Sequence, residues 1–210
     1  MHPRTLSRIA GGSYLVIFFA AVFANFFVLE ALEEAPLLTV REAPTLVRGG
    51  IVAFLITVVF DVVVAWALYE LFPRHPLSKP STLFRLMHAV IMGVALYTLP
   101  MTLRAATAEE VLLRVADFNT IWLIGLFFFG IHLILLSIIL RKPRLVAWFL
   151  ALAGAMYMID TLAHFLLPSY EAYAAVFLAL VAVPSILGEM ALALWLLFEG
   201  GAPTLKVQRT

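Results

Sequence analysis

A chain of 210 residues that is 64% hydrophobic, only 13% charged and has a mean hydropathy of +1.04 carries more apolar surface than a soluble core of that size can bury. A formal net charge of +1 gives no electrostatic footprint for nucleic acid, and the lack of cysteine excludes disulfides, thiolate nucleophiles and thiolate metal sites. What remains is a protein whose solvent and partner is the lipid bilayer.

Six apolar runs follow one another: Ile9–Val28, Gly49–Phe72, Thr82–Ala106, Asp117–Leu140, Leu145–Leu167 and Ala172–Phe198. Each is near or above the roughly 20 residues that a spanning helix needs. The expected fold class is therefore all-α, a polytopic integral membrane protein. Its six transmembrane helices form a bundle of three hairpins in a single domain, residues 1–210. The first run follows Arg4 and Arg8 and contains Val22-Phe23-Ala24, which resembles a cleavage site. It is long for a signal peptide, and aromatic and leucine residues continue past Ala24, so it reads as an uncleaved first helix.

The basic residues orient the chain. With the N-terminus in the cytoplasm, the inner segments hold Arg4, Arg8, Arg74, Lys79, Arg85, Arg141, Lys142, Arg144, Lys206 and Arg209. The outer segments hold Arg41, Arg48, Arg104 and Arg114, which places both termini inside by the positive-inside rule. The expected location is the inner, or plasma, membrane.

The first external connection, Leu29 to Arg48, carries Glu30, Glu33, Glu34 and Glu42 with Pro36 and Pro44. Its composition is that of a solvated linker; an acidic lid or short interfacial helix is the alternative. Asp117 and Asn119 are expected to cap the fourth helix. The tail after Gly200 is expected to fray. Gly11, Gly12, Gly125, Gly130, Ala151 with Ala155, and Gly188 mark close helix approaches.

An internal repeat is visible. Ala10-Gly11-Gly12-Ser13-Tyr14 in the first helix resembles Ala153-Gly154-Ala155-Met156-Tyr157 in the fifth. Asp61, Trp66 and Glu70 in the second correspond to Glu189, Trp195 and Glu199 in the sixth. The repeat would relate the first and third hairpins.

Several stretches carry a family resemblance: Ala10 to Tyr14, Asp117 to Gly125, Gly130 to Leu133, Ile159 to His164, and Pro184 to Glu189. Together they resemble the bacterial membrane proteins grouped as domain of unknown function 4386. The resemblance covers nearly the whole chain and implies a six-helix integral membrane protein. It implies no activity and transfers no functional residue.

Ionisable groups inside apolar runs are the functional signal, because each costs roughly 2.5–3.5 kcal/mol at a bilayer centre unless it faces protein or water. Asp61, His88, His132 and Glu189 fall in one layer at or below the midplane, on four different helices. They define an expected intramembrane polar centre. Glu189 shares its helix with Pro184, which frees the Leu180 carbonyl. The four side chains suit a divalent metal such as zinc, manganese or iron, a proton relay, or a packing network. A bis-histidine haem on His88 and His132 has little to support it.

Nearer the outside, Asp160 and His164 stand at i, i+4 on one helix face and are the catalytic candidates, the aspartate orienting the imidazole. Phe127-Phe128-Phe129 reads as packing, and the tryptophans mostly as interfacial anchors. Three functions compete: proton-coupled transport of a small solute through the carboxylate and histidine centre; a membrane-embedded, metal-dependent enzyme acting on a lipid or membrane-soluble molecule; and a non-catalytic subunit or sensor.

Overall fold

The computed structural model describes residues 1–140 and 142–201. Among these residues every regular element is helical, and six helical stretches are long and apolar enough to cross a membrane. The first comprises α1 (Pro3–Phe23), a π-helical turn (Ala24–Leu29) and α2 (Glu30–Glu34). After the short α3 (Pro36–Glu42) comes the second, α4 (Pro44–Leu71). The third joins α5 (Ser78–Ala95) to the one-turn α6 (Leu99–Thr102). The fourth is α7 (Ala108–Ile139), and the fifth is α8 (Arg144–Leu166). The sixth is α9 (Ala174–Phe198), entered by a 3-10 turn (Tyr170–Tyr173).

The helices form a closed ring. The hairpins α1/α4, α5/α7 and α8/α9 are joined by α4 against α5, α7 against α8, and finally α1 against α9. Glycines set the closest approaches. A Cβ on Gly130 would lie 2.6 Å from the Gly154 carbonyl oxygen, and one on Gly154 would lie 2.5 Å from that of Gly130, so α7 and α8 touch backbone to backbone. Gly11 places α1 against Ala193 and Leu197 of α9, and Gly188 places α9 against Phe149 of α8. Gly12, expected at such an approach, faces open space instead.

The seam between the first and last helices is also tied by polar contacts. The Arg4 guanidinium donates to the carbonyls of Leu197, Phe198 and Gly200 at 2.7–3.0 Å, and Ser7 Oγ donates to Leu196 O at 2.7 Å. These are the carbonyls that a helix C-terminus leaves unpaired. At Gly201 the backbone turns with φ 71°, a conformation open to glycine. Arg141, Lys206 and Arg209 from the basic tally, and the tail from residue 202 onward, lie outside the described residues.

The expected helix ends move in informative ways. The fourth span starts at Ala108, and Asp117 and Asn119 lie within it rather than capping it. Thr107 is the cap, accepting from Glu110 N at 3.2 Å, while the Glu110 carboxylate reaches back to Ala106 N at 2.6 Å. Asp117 pairs instead with Arg114, and Asn119 donates to Glu33. The acidic connection is not a plain linker: its short helices pack Leu32 and Val40 into the core beside Val111 and Val115.

Surface and interior are inverted relative to a soluble protein. Phe19, Phe26, Val90, Leu178 and Phe198 stand exposed, while Ser7, Thr57, Asp61, Arg85, His88 and His132 are buried. Two apolar clusters fill the ring. One, near the Pro3 end, includes Leu68, Leu133, Leu136 and Leu196; the other, near the α2/α3 end, includes Val28, Phe54, Met92 and Phe118. The polar groups lie where the two meet.

Candidate functional site

The centre is organised by a residue that the charge tally counts with the inner segments. Arg85 is 1% exposed and lies in α5, about 10 Å along the helix from Ser78. Its Nη2 donates to Asp61 Oδ1 at 2.6 Å, and its Nη1 to the Tyr14 hydroxyl at 2.7 Å. The guanidinium carbon also lies 4.8 Å from the centre of the Tyr14 ring and 5.2 Å from that of Phe129. A buried guanidinium needs such partners, since an unpaired charge in a low-dielectric interior costs several kcal/mol. Removing Arg85 from the inner tally leaves nine basic residues against four.

Two histidines flank this pair. His132 Nε2 lies 3.2 Å from Arg85 Nη1, which can only donate, so Nε2 accepts. The ring proton then sits on Nδ1, which faces the Ser81 carbonyl at 3.0 Å and Ser81 Oγ at 2.9 Å. This fixes a neutral tautomer. His88 Nε2 stands 3.7 Å from Asp61 Oδ2, an ion pair when the ring is protonated. Arg85 Nε and His88 Nδ1 are buried with no hydrogen-bond partner among the described residues. Phe129 lies against both imidazoles, with ring centres 4.9 Å from His88 and 5.8 Å from His132. It is part of the centre and not only lipid-facing packing.

A cavity of about 200 Å³ opens beside the pair. Asp61, Arg85 and His88 form one wall, and Tyr157, Ser185 and Glu189 form another. Phe18, Phe54, Trp122 and Met190 supply apolar surface, so Trp122 is an interior wall rather than an interfacial anchor. Glu189 is half-buried, its carboxylate stands beside the Tyr157 hydroxyl, and no basic side chain pairs with it among the described residues. Ser185, one turn before it, donates to Val181 O at 2.6 Å, next to Pro184, which lies inside the continuous α9 and has no N–H to give its ladder. The Tyr14 and Tyr157 positions of the internal repeat line the same cavity, as do Asp61 and Glu189.

The four expected centre residues thus share one layer, but not one set of contacts. Asp61 and His88 meet, His132 joins through Arg85, and Glu189 faces the cavity. His88, His132, Asp61 and Glu189, the expected metal candidates, do not gather as one ligand set: no group of three or more His, Asp or Glu side chains among the described residues is placed to hold an ion. The Arg85 cation occupies the space between Asp61 and His132. The expected Asp160–His164 pair sits at the C-terminal end of α8. The Asp160 carboxylate accepts from the Tyr170 hydroxyl at 2.7 Å, and His164 packs edge-on against the Tyr170 ring at 4.7 Å. The aspartate orients a tyrosine, not the imidazole.

The fold and its buried centre define a multi-pass membrane protein built around an interior arginine–aspartate pair. Residues 9–200 match the family described as Domain of unknown function (DUF4386), and the chain belongs to that family. An uncharacterized protein of Archaeoglobus fulgidus is 32% identical over 159 residues, covering 72% of this chain and 83% of the relative. No solved structure matches the chain.

Proposed function

We propose that the protein carries a small solute across the membrane, coupled to a proton held at Glu189. The observation that supports this reading is the cavity of about 200 Å³ inside the ring, with Glu189 as its one acid not paired with a basic side chain among the described residues. Substrate sites near the bilayer midplane, beside interrupted helices, are how many transporters are built. Pro184 removes one N–H from the α9 ladder five residues before Glu189, although the helix stays continuous. Asp61, by contrast, is committed to Arg85 and serves as a fixed wall. Asp61 and Glu189 lie at matched depth, but their different surroundings separate the two roles.

In this reading the end of the bundle bearing Arg4, Arg8, Arg74, Lys79 and Arg144 faces the cytoplasm of a plasma membrane, by the excess of basic residues there. The exposed apolar belt contacts lipid. All of residues 1–210 serve one membrane unit.

Proteoliposomes loaded with a pH-sensitive dye test the reading. They are challenged in turn with phenyltrimethylammonium, benzenesulfonate and phenylalanine. At least one solute is expected to change the internal pH with the native protein and not with Glu189→Gln. Identical traces from native, variant and protein-free vesicles for all three solutes contradict it.

A further inference from the structure

We infer that the cavity takes an aromatic or similarly apolar organic monocation, and that this cation and a proton compete for Glu189. The inference deepens the transport reading by naming its substrate class, and it rests on that reading only for the movement of the solute, not for its binding.

Charge carries the first step. Arg85 and Asp61 face the cavity as a bonded pair and cancel. His132, held neutral by its contacts with Arg85 and Ser81, adds nothing. Ionised Glu189 therefore leaves the site one negative charge in excess. Uncompensated charge in a wall of phenylalanine, tryptophan and methionine costs several kcal/mol, so one positive charge has to match it. A proton can do this, or a solute cation can. When the cation enters, it forms an ion pair with the carboxylate and the proton leaves to solvent; no bond to carbon is made or broken.

The walls carry the second step. Tyr14, Phe54, Trp122, Phe129 and Tyr157 all line the cavity. Aromatic faces attract cations, and cages of them recognise quaternary ammonium groups. Tyr14 and Phe129 already face the Arg85 guanidinium, which leaves Phe54, Trp122 and Tyr157 for a ligand. Size carries the third. A cavity of roughly 150 Å³ holds a benzene molecule. A volume of about 200 Å³ therefore suits a ring with a small charged head. An anion meets the opposite situation, because Asp61 already cancels the guanidinium charge and both of its terminal nitrogens are bonded, to Asp61, Tyr14 and His132.

Acidification should weaken binding through Glu189. The other titratable groups around the cavity are Tyr14 from α1, Asp61 from α4, Arg85 and His88 from α5, and Tyr157 from α8; His132 of α7 lies behind Arg85. Protonation of His88 would act in the same direction, by adding a second cation beside Asp61. Glu189→Gln separates the two.

Calorimetric titration of the purified full chain in detergent tests the inference. The probes are phenyltrimethylammonium, benzyl alcohol and benzenesulfonate. The cation is expected to bind roughly tenfold or more tightly than the anion. Its affinity should fall on acidification, drop by a similar factor in Glu189→Gln, and recover in part in Glu189→Asp. Tighter binding of benzenesulfonate to the native protein overturns the inference, whether or not either variant folds. So does an unchanged cation affinity in a Glu189→Gln protein that melts like the native one. Cation binding without flux in vesicles would contradict transport and leave the ligand class standing. Flux confined to benzenesulfonate would do the reverse.

Discussion

Arg85 and Asp61 hold the interior together at the level of single side chains. Each supplies the other's neutralising charge deep within the bundle, with side-chain exposures of 1% and 6%. Removing one partner strands the other. Arg85→Met or Asp61→Leu alone is expected to lower stability by about 3–5 kcal/mol, whereas the double substitution should approach the native value. Denaturant titration in mixed micelles, read by far-UV circular dichroism, checks both. Tyr14→Phe removes one hydrogen bond to Arg85 and keeps the ring, so its cost should be small, about 0.6 kcal/mol and no more than roughly 1.7. Asp61, His88, His132 and Glu189 were legible in the sequence because an ionisable group within an apolar run is conspicuous. Arg85 was not, since an arginine a few residues inside a helix start usually reaches back to the headgroups. Nor was Tyr14, as a tyrosine in an apolar run is ordinary. For Asp160 and His164 the spacing gave a shared face and could not show that Tyr170, from beyond the helix end, donates to the carboxylate.

At the scale of elements, the ring depends on two kinds of seam. Between α7 and α8 it is bare backbone, where Gly130 and Gly154 face each other. A methyl group at Gly154 would lie 2.5 Å from the Gly130 carbonyl oxygen, which is backbone and cannot swing aside, and 2.9 Å from Ile134 Cγ1. Gly154→Ala should therefore destabilise by about 1–3 kcal/mol, as overpacking does. Gly12→Ala, with nothing within 4 Å, should be neutral or slightly stabilising in its helix. A melting comparison of the two variants tests whether contact, rather than glycine content, matters. Between α1 and α9 the seam is polar. Arg4→Gln should cost about 1.5–3 kcal/mol through loss of charge-assisted bonds to the α9 carbonyls, with faster amide exchange in the last turn of α9. Helix count and approximate ends were readable from the apolar runs. The early start of α7 was not inferred, although Thr107 and Glu110 spell the capping signal, because charged Glu109, Glu110 and Arg114 interrupt the hydropathy. Helical order in the acidic connection was also hidden: its glutamates read as solvated, while Leu32 and Val40 supply the packing.

For the whole molecule, closure of the ring by α1 against α9 encloses the cavity and brings both members of the internal repeat to it. Tyr14 and Asp61 from the first hairpin and Tyr157 and Glu189 from the third line a common space. The two acids differ in their surroundings: one is bonded to a guanidinium, the other faces the void. That asymmetry gives the site its excess charge, and periodicity alone could not reveal it, because it depends on a cation contributed by a third helix. The most direct measurement is uptake of labelled phenyltrimethylammonium into proteoliposomes under an imposed pH gradient. Saturable uptake that Glu189→Gln abolishes, and that Glu171→Gln at the exposed end of the bundle leaves intact, is the expected result. Uptake by Glu189→Gln at the native rate would contradict the account.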